Sequence, residues 1–301
     1  MMDLDLSQLS ALKSAVAEGT FDAAARTLRI TPSAVSQRIK ALENSVGRVL
    51  LRRSKPIAPT ESGRALLRLA RQLEALTDDV ARELDDPGDD RAASAAGAPS
   101  LIRMPLAVNA DSLATWILPA LAPLAGEIAF DLWREDQSQT TGLLREGTVM
   151  AAITSVAEPV QGCSSRALGV MRYRAVAAPS FAERWFADDL AQGLHRAPVV
   201  VFDRADELQD GFLRDHGLPS STPPRHFVPA SADFAEAVRL GFGWGMLPDQ
   251  QSVGLGLIEI DPGSFSDVPL YWQQWQLHTT ALDRVANTVA AAAAAALRPV
   301  A

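Results

Sequence analysis

FDAAARTLRITPSAVSQRIKALENSVG, residues 21–47, decides the fold of the first part of this chain. It divides into a first helix over 22–28, a short break, and a second helix opened by Thr31-Pro32. Thr31 offers a capping hydroxyl, and Pro32 at the first helical position gives up an N–H that no helix bond needs. Along the second helix Val35, Ile39, Leu42 and Val46 recur at i, i+4, i+7 and i+11 and make one apolar stripe. Ser33, Ser36, Gln37 and Lys40 face the other way, with Arg38 at the side. Short hydroxyls, an amide and cations on one helix face suit the major groove of DNA, where glutamine pairs with adenine and arginine with guanine.

The charge distribution agrees. The chain has 301 residues and a net charge of −8, from 28 basic and 36 acidic side chains. Residues 26–71 hold eleven basic and two acidic residues, a local +9 that leaves −17 for the rest. A polyanion is repelled by most of the molecule and attracted to this one segment.

Working outward, residues 4–17 form an amphipathic helix with Leu6, Leu9, Leu12 and Val16 on one face, which completes a three-helix core. After Gly47, residues 49–51 and 57–59 read as two short strands around a basic turn of Arg52, Arg53 and Lys55. That is a winged helix whose wing is placed to touch phosphate or minor groove. Thr60-Glu61-Ser62-Gly63 opens a helix to about residue 84, with Leu66, Leu69, Leu73, Leu76, Val80 and Leu84 mostly three or four apart. About 25 residues at ~1.5 Å each give a rod of roughly 37 Å, too long to bury its seam on a small winged domain. A dimer through this helix is the expected solution, and it supplies two reading helices for two half-sites. Residues 85–100, DDPGDDRAASAAGAPS, are acidic, then small and punctuated by Pro and Gly, and read as a linker.

From Leu101 the rhythm changes to short apolar runs alternating with helical stretches, the pattern of open α/β sheets. Two similar units joined by two crossing strands are expected, hinged like a clam, with ligand at the carboxyl ends of strands. The expected boundaries are 1–59 for the winged helix-turn-helix, 60–84 for the linker helix, 85–100 for the flexible linker and 101–301 for the effector-binding domain. Lobe I of that domain covers about 101–172 and 277–301, and lobe II about 173–276.

Other classes fit less well. No run of about 18 apolar residues occurs, so no membrane span or membrane partner is expected. The opening MMDLDLSQLS is acidic and amphipathic, unlike a signal peptide, and a cytoplasmic site is expected. One cysteine, Cys163, rules out an intrachain disulfide and reads as a small residue in a turn. The four histidines show no metal-ligand spacing. No nucleophile–base pair or phosphate loop stands out, so no enzyme is expected. Gly241-Phe242-Gly243-Trp244-Gly245 contains GxGxG but precedes a strand-like GMLP, and reads as a tight helix-to-strand turn.

The whole chain resembles the LysR-type transcriptional regulators, most closely in FDAAARTLRITPSAVSQRIKALENSVGRVLLRR (21–53) and PTESG (59–63). The resemblance implies a winged helix, a linker-helix dimer and a periplasmic-binding-protein-like effector domain in a homodimer or homotetramer. Within the family the chain resembles the lysine- and arginine-sensing LysG/ArgP-like branch. VNADSLATWILPAL (108–121), REDQ (134–137), LLREG (143–147), LQD (208–210), GWGMLP (243–248) and PLYWQ (269–273) carry that likeness. It implies an activator of a basic-amino-acid exporter gene, with promoter DNA and RNA polymerase as partners. L-lysine or L-arginine is then the co-effector, and no other cofactor is expected. The alternative is a regulator of another metabolic operon with a different effector. The linker is longer and more acidic than the resemblance leads one to expect.

A basic amino acid presents a carboxylate, an ammonium and a distal cation. Asn109, Asp111 and Ser112 stand where a strand ends and a helix begins, and the helix-start N–H groups with the Ser112 hydroxyl suit a carboxylate. Glu135 and Asp136 follow the next strand, and one of them suits the distal cation. Thr154 and Ser155 end the third strand, and Asp203, Ser231 and Asp233 lie at matching places in the second lobe. Trp116, Trp133, Trp244 and Trp272 are expected in core or hinge packing.

Overall fold

The computed structural model describes residues 4–52, 54–84, 101–134, 137–219 and 223–299, with backbone only at 83 and 137–139. The 85–100 linker therefore lies outside the described residues.

Helices α1 (Leu6–Glu18), α2 (Phe21–Leu28) and α3 (Pro32–Val46) form the N-terminal unit. Each starts on a side-chain cap: Asp5 accepts from Ser7 N, Thr20 from Ala23 N and Thr31 from Ala34 N. Gly19 and Gly47 end α1 and α3 in the left-handed region, at φ +71° and +69°. Val35, Ile39 and Leu42 are buried against Leu9, Leu12 and Ala15 of α1, the stripe that the spacing predicts. The wing is smaller than expected. Among the described residues only β1 (Leu51–Arg52) and β2 (Ala58–Pro59) pair, antiparallel, and Pro56 and Pro59 offer no N–H to lengthen the ladder. Thr60 ties the wing to the next helix: its hydroxyl donates to Val49 O and its Oγ1 accepts from Gly63 N. Helix α4 (Glu61–Leu84) follows.

The effector domain is built on a curled mixed sheet. Parallel strands β3 (Ile102–Val108), β4 (Ile128–Arg134) and β5 (Ala151–Thr154) form one end, with β3 in the middle. Two long antiparallel strands cross to the other end: β6 (Cys163–Ala177) and β11 (Ser266–Trp275). Their register slips between Leu270 and Tyr271, opposite Gly169. There φ is +148°, and a Cβ would stand 2.7 Å from that of Leu297. Cys163 thus begins a strand instead of sitting in a turn, and the first half of β6 is a strand that residue periodicity does not reveal. Strands β9 (Gly245–Pro248) and β10 (Ile258–Glu259) both pair with β6, and β7 (Val199–Val201) pairs with β8 (Arg225–Phe227). Trp244 joins these two sets, its carbonyl accepting from Val200 N and its N–H donating to Pro198 O.

Helices cover the faces. The run α5 spans Ala110–Ser112, a wide turn Leu113–Ile117, then Leu118–Leu121 and Ala122–Leu124. The wide turn lies just before Pro119, which cannot donate to the helix ladder. Helix α6 is Gln137–Glu146. Two short helices follow β6, α7 (Pro179–Phe186) and α8 (Leu190–Arg196), because Asp189 caps a fresh start. Helices α9 (Leu208–Asp215), α10 (Ser231–Arg239), α11 (Asp249–Ser252) and α12 (Thr280–Ala296) complete the domain. The Gly241–Gly245 run is indeed a turn between α10 and β9, with Gly243 too close to Pro198 O, 2.6 Å, for any Cβ. Trp116, Trp244 and Trp272 are buried, but Trp133 is 38% exposed near the end of β4, contrary to the expectation of packing.

Candidate functional site

The first candidate surface is the outer face of α3. Thr31, Ser33, Gln37 and Lys40 are exposed, while Ser36 and Arg38 are half-buried at its flanks. Thr31 has a structural task as well: its Oγ1 accepts from Ala34 N at 3.2 Å and lies 2.9 Å from Ser33 Oγ. Asn44, one turn beyond Lys40, is exposed on the same row and extends it. Its spacing from Ser33, Gln37 and Lys40 was the signal for it. Arg52 and Lys55 are exposed on the wing; Arg53 lies outside the described residues. A row of donors and acceptors on a helix backed by a firm core, with cations beside it, can enter a major groove while the wing meets phosphate.

The second candidate is a cleft of about 560 Å³ between the start of α5, the crossing strand β6 and the second lobe. Among the described residues its lining includes Asp111, Asp203, Asp206 and Glu207, against one cation, Arg214. Asp111 is held by two hydroxyls: Tyr173 donates to Oδ2 at 2.7 Å and Ser231 to Oδ1 at 2.7 Å. Those donors come from β6 and α10, so the Asp111 carboxylate ties the first lobe to the second. Gln251 steadies Ser231 by donating to its carbonyl at 2.8 Å. Asp206 accepts from Phe202 N at 3.1 Å and Leu208 N at 3.0 Å, so it caps α9 while lining the cleft. Burial first, and then the charge of Asp111, hold its carboxyl above the usual carboxylate range. The Tyr173 hydroxyl is raised well above its ordinary value by burial and by Asp111, and stays a donor.

The sequence-predicted effector residues separate into groups. Asn109, Asp111 and Asp203 line the cleft, and Ser231 reaches it through Asp111. Asp203 also shapes the loop, accepting from Ala205 N and Asp206 N. Ser112 is fully buried, and among the described residues neither its Oγ nor Asn109 Oδ1 has a hydrogen-bond partner. Asp111 itself puts a negative charge in the first turn of α5, which corrects the picture of that turn as a plain carboxylate seat. Thr154 and Ser155 do not line the cleft; Thr154 is buried and its Oγ1 accepts from Val156 N. Asp233 is exposed on α10 and does not line it either. Glu135 and Asp136 lie outside the described residues. Residue spacing missed Tyr173, Asp206, Glu207, Arg214 and Gln251. An Asp two residues before α9 was a legible capping signal, while Tyr173 and Gln251 meet Asp111 only through the folded sheet.

The family model of bacterial regulatory helix-turn-helix proteins, lysR family, matches residues 6–64. A Mycobacterium tuberculosis protein named HTH-type transcriptional regulator LysG is 42% identical over 98% of this chain and 95% of its own. A Corynebacterium efficiens protein named lysine export transcriptional regulatory protein LysG is 40% identical over 96% of this chain and 98% of its own. Among solved structures, ArgP from Mycobacterium tuberculosis superposes with a TM-score of 0.89 at 40% identity, over 99% of this chain and all of that one. Full-length LysG from Corynebacterium glutamicum with bound effector Arg does so at 0.78 and 36% identity, over 98% of this chain and all of that one.

Proposed function

This chain belongs to the LysR family of transcriptional regulators, in its LysG/ArgP branch, and from that premise we propose that it switches on a basic-amino-acid exporter gene when L-lysine or L-arginine fills its cleft. The branch members are DNA-binding regulators, and the chain is a regulator and not an enzyme. Like other LysR-type regulators it binds promoter DNA and works as an oligomer. RNA polymerase is the partner through which activation is read.

The observation that carries the effector reading is the charge of the cleft. Among the described residues four carboxylates face one guanidinium, so the favoured occupant brings an excess positive charge. Lysine and arginine do, with an ammonium and a distal cation for Asp111 and Asp206 and a carboxylate that can pair with exposed Arg214. The effector bound in the Corynebacterium glutamicum relative is arginine, and the relative from Corynebacterium efficiens is named for lysine export. Asp111 bridges the lobes, so a cation drawn to it stabilises their closed arrangement, and closure shifts the population that grips the promoter.

The test is thermal unfolding against each L-amino acid at millimolar concentration. A ligand that binds only the folded state raises the melting temperature by mass action, about 2.7 kcal/mol at a hundred times Kd. A rise confined to lysine and arginine, reduced in Asp206→Asn, is expected. A rise with neutral or acidic amino acids instead overturns the effector assignment and leaves the DNA-binding reading intact.

A further inference from the structure

Helix α4 carries three faces. Leu66, Leu67 and Ala70 are buried in the winged-helix core. Leu76, Val80 and Leu84 are 37%, 52% and 78% exposed and form the seam left for a second copy. Arg68, Arg71, Ala75 and Asp79 fall at i, i+3, i+7 and i+11, a third row that points to neither.

This third row lies on the effector domain of the same chain. Arg68 Nη1 donates to Arg145 O at 3.4 Å, and Arg71 Nη1 to Glu146 O at 3.2 Å. Those carbonyls belong to the last turn of α6, which the helix itself leaves without partners. Gly147 ends α6 at φ +70°, and a Cβ there would stand 2.8 Å from Arg68 Cα, so only glycine admits the approach. Ala75 packs among the partly buried residues around the effector core. One turn on, Asp79 Oδ2 accepts from Thr280 N at 3.2 Å, at the start of α12. Burial lowers the Arg71 guanidinium from its ordinary value, and the nearby carboxylates of Glu146 and Glu74 act against that shift.

We propose that this third face of the linker helix is a latch that docks it, by charge, onto two helix ends of its own effector domain. Cations meet the carbonyl end of α6, and a carboxylate meets the N–H end of α12. Both signs match the helix dipoles. The docked helix carries the winged helix rigidly, so the placement of the DNA-reading face is set by the positions of two effector-domain helix ends. Any rearrangement of that domain that moves the end of α6 against the start of α12 must turn the linker helix or release it. The latch does not depend on which effector is bound.

The test is an intrachain distance measured by electron spin resonance. Spin labels go on Asp22→Cys of α2 and Val253→Cys beyond α11, both exposed. The chain's own Cys163 is buried with its thiol pushed up to about 11, so it stays unlabelled. Labelled chains are diluted into excess unlabelled full-length chain to leave only distances within one protomer. A single narrow distance is expected, with that peak lost in Arg68→Ala/Arg71→Ala and weakened in Asp79→Ala. Thermal unfolding of each variant separates release from misfolding, and Asp79→Ala, at the exposed end, gives the same reading should the double variant fail to fold. A broad distribution in the parent chain, or a narrow peak retained in folded variants, overturns the latch.

Discussion

At the scale of single residues, two side chains separate binding from folding. Asp206 accepts from Leu208 N at the start of α9 and from Phe202 N before it, and also supplies charge to the cleft. Asn in its place can keep one of those acceptors while removing the charge. We expect Asp206→Asn to weaken arginine binding roughly tenfold to a hundredfold, as for a lost charge-assisted hydrogen bond of about 1.5–3 kcal/mol, in calorimetric titration. The pH dependence follows from the raised carboxyl of Asp206. Folded chain holds this proton to higher pH than unfolded chain. Its contribution to stability is therefore complete below the unfolded value and lost as pH rises through the folded one. Arginine acts the other way, because only ionised Asp206 attracts it. Its affinity should rise with pH across that window and then level off, and should lose this dependence in Asp206→Asn. On α3, Gln37 is exposed and caps nothing among the described contacts. Gln37→Ala should leave the melting temperature unchanged and cost about 1–3 kcal/mol of discrimination against altered operator bases, read by competition binding. Lys40→Ala should weaken all DNA alike and lower the slope of log K against log salt by about one.

At the scale of elements, legibility follows how local the causes are. Helices α1 to α3 could be read because cap, stripe and terminal glycine all sit within a few residues of one another. Thr31→Ala should cost about 1 kcal/mol through the lost cap, measured by chemical denaturation, with the fold retained. The two crossing strands were only half visible. Residues 172–179 alternate with the expected strand rhythm, but 163–171 owe their strand to pairing with β11, about a hundred positions away. The same holds in the cleft. Asp111 could be found from the strand-to-helix junction where it sits, whereas Tyr173 and Ser231 become its donors only when β6 and α10 converge. Thr154 and Ser155 were placed at a strand end as the general rule for open sheets suggests. Yet β5 lies beside β3 and β11, and its end does not reach the cleft lining. Trp244 shows what holds the second lobe together: fully buried, it packs on Phe212 at 5.5 Å between ring centroids and bridges β7 to β9.

At the scale of the whole molecule, one helix has to serve three partners, and the charge of the chain has to serve one. The exposed Leu76, Val80 and Leu84 are apolar on a molecule that otherwise carries net −8, and a second copy of the same seam is the self-complementary cover for them. A dimer through that seam would bring two segments of +9 together, so the positive field that attracts DNA would double where the two reading helices sit, while the acidic effector domains would keep the polyanion away from the rest. Affinity for a two-part operator then exceeds that of one winged helix by an effective-concentration factor of about 10²–10⁴. Val80→Glu puts like charges across the seam without touching either reading face or cleft. It should shift the sedimenting species towards monomer and lower operator affinity by that order, while arginine still raises the melting temperature of the effector domain. Retention of a full dimer by this variant would place the self-association of this chain on some surface other than the linker helix.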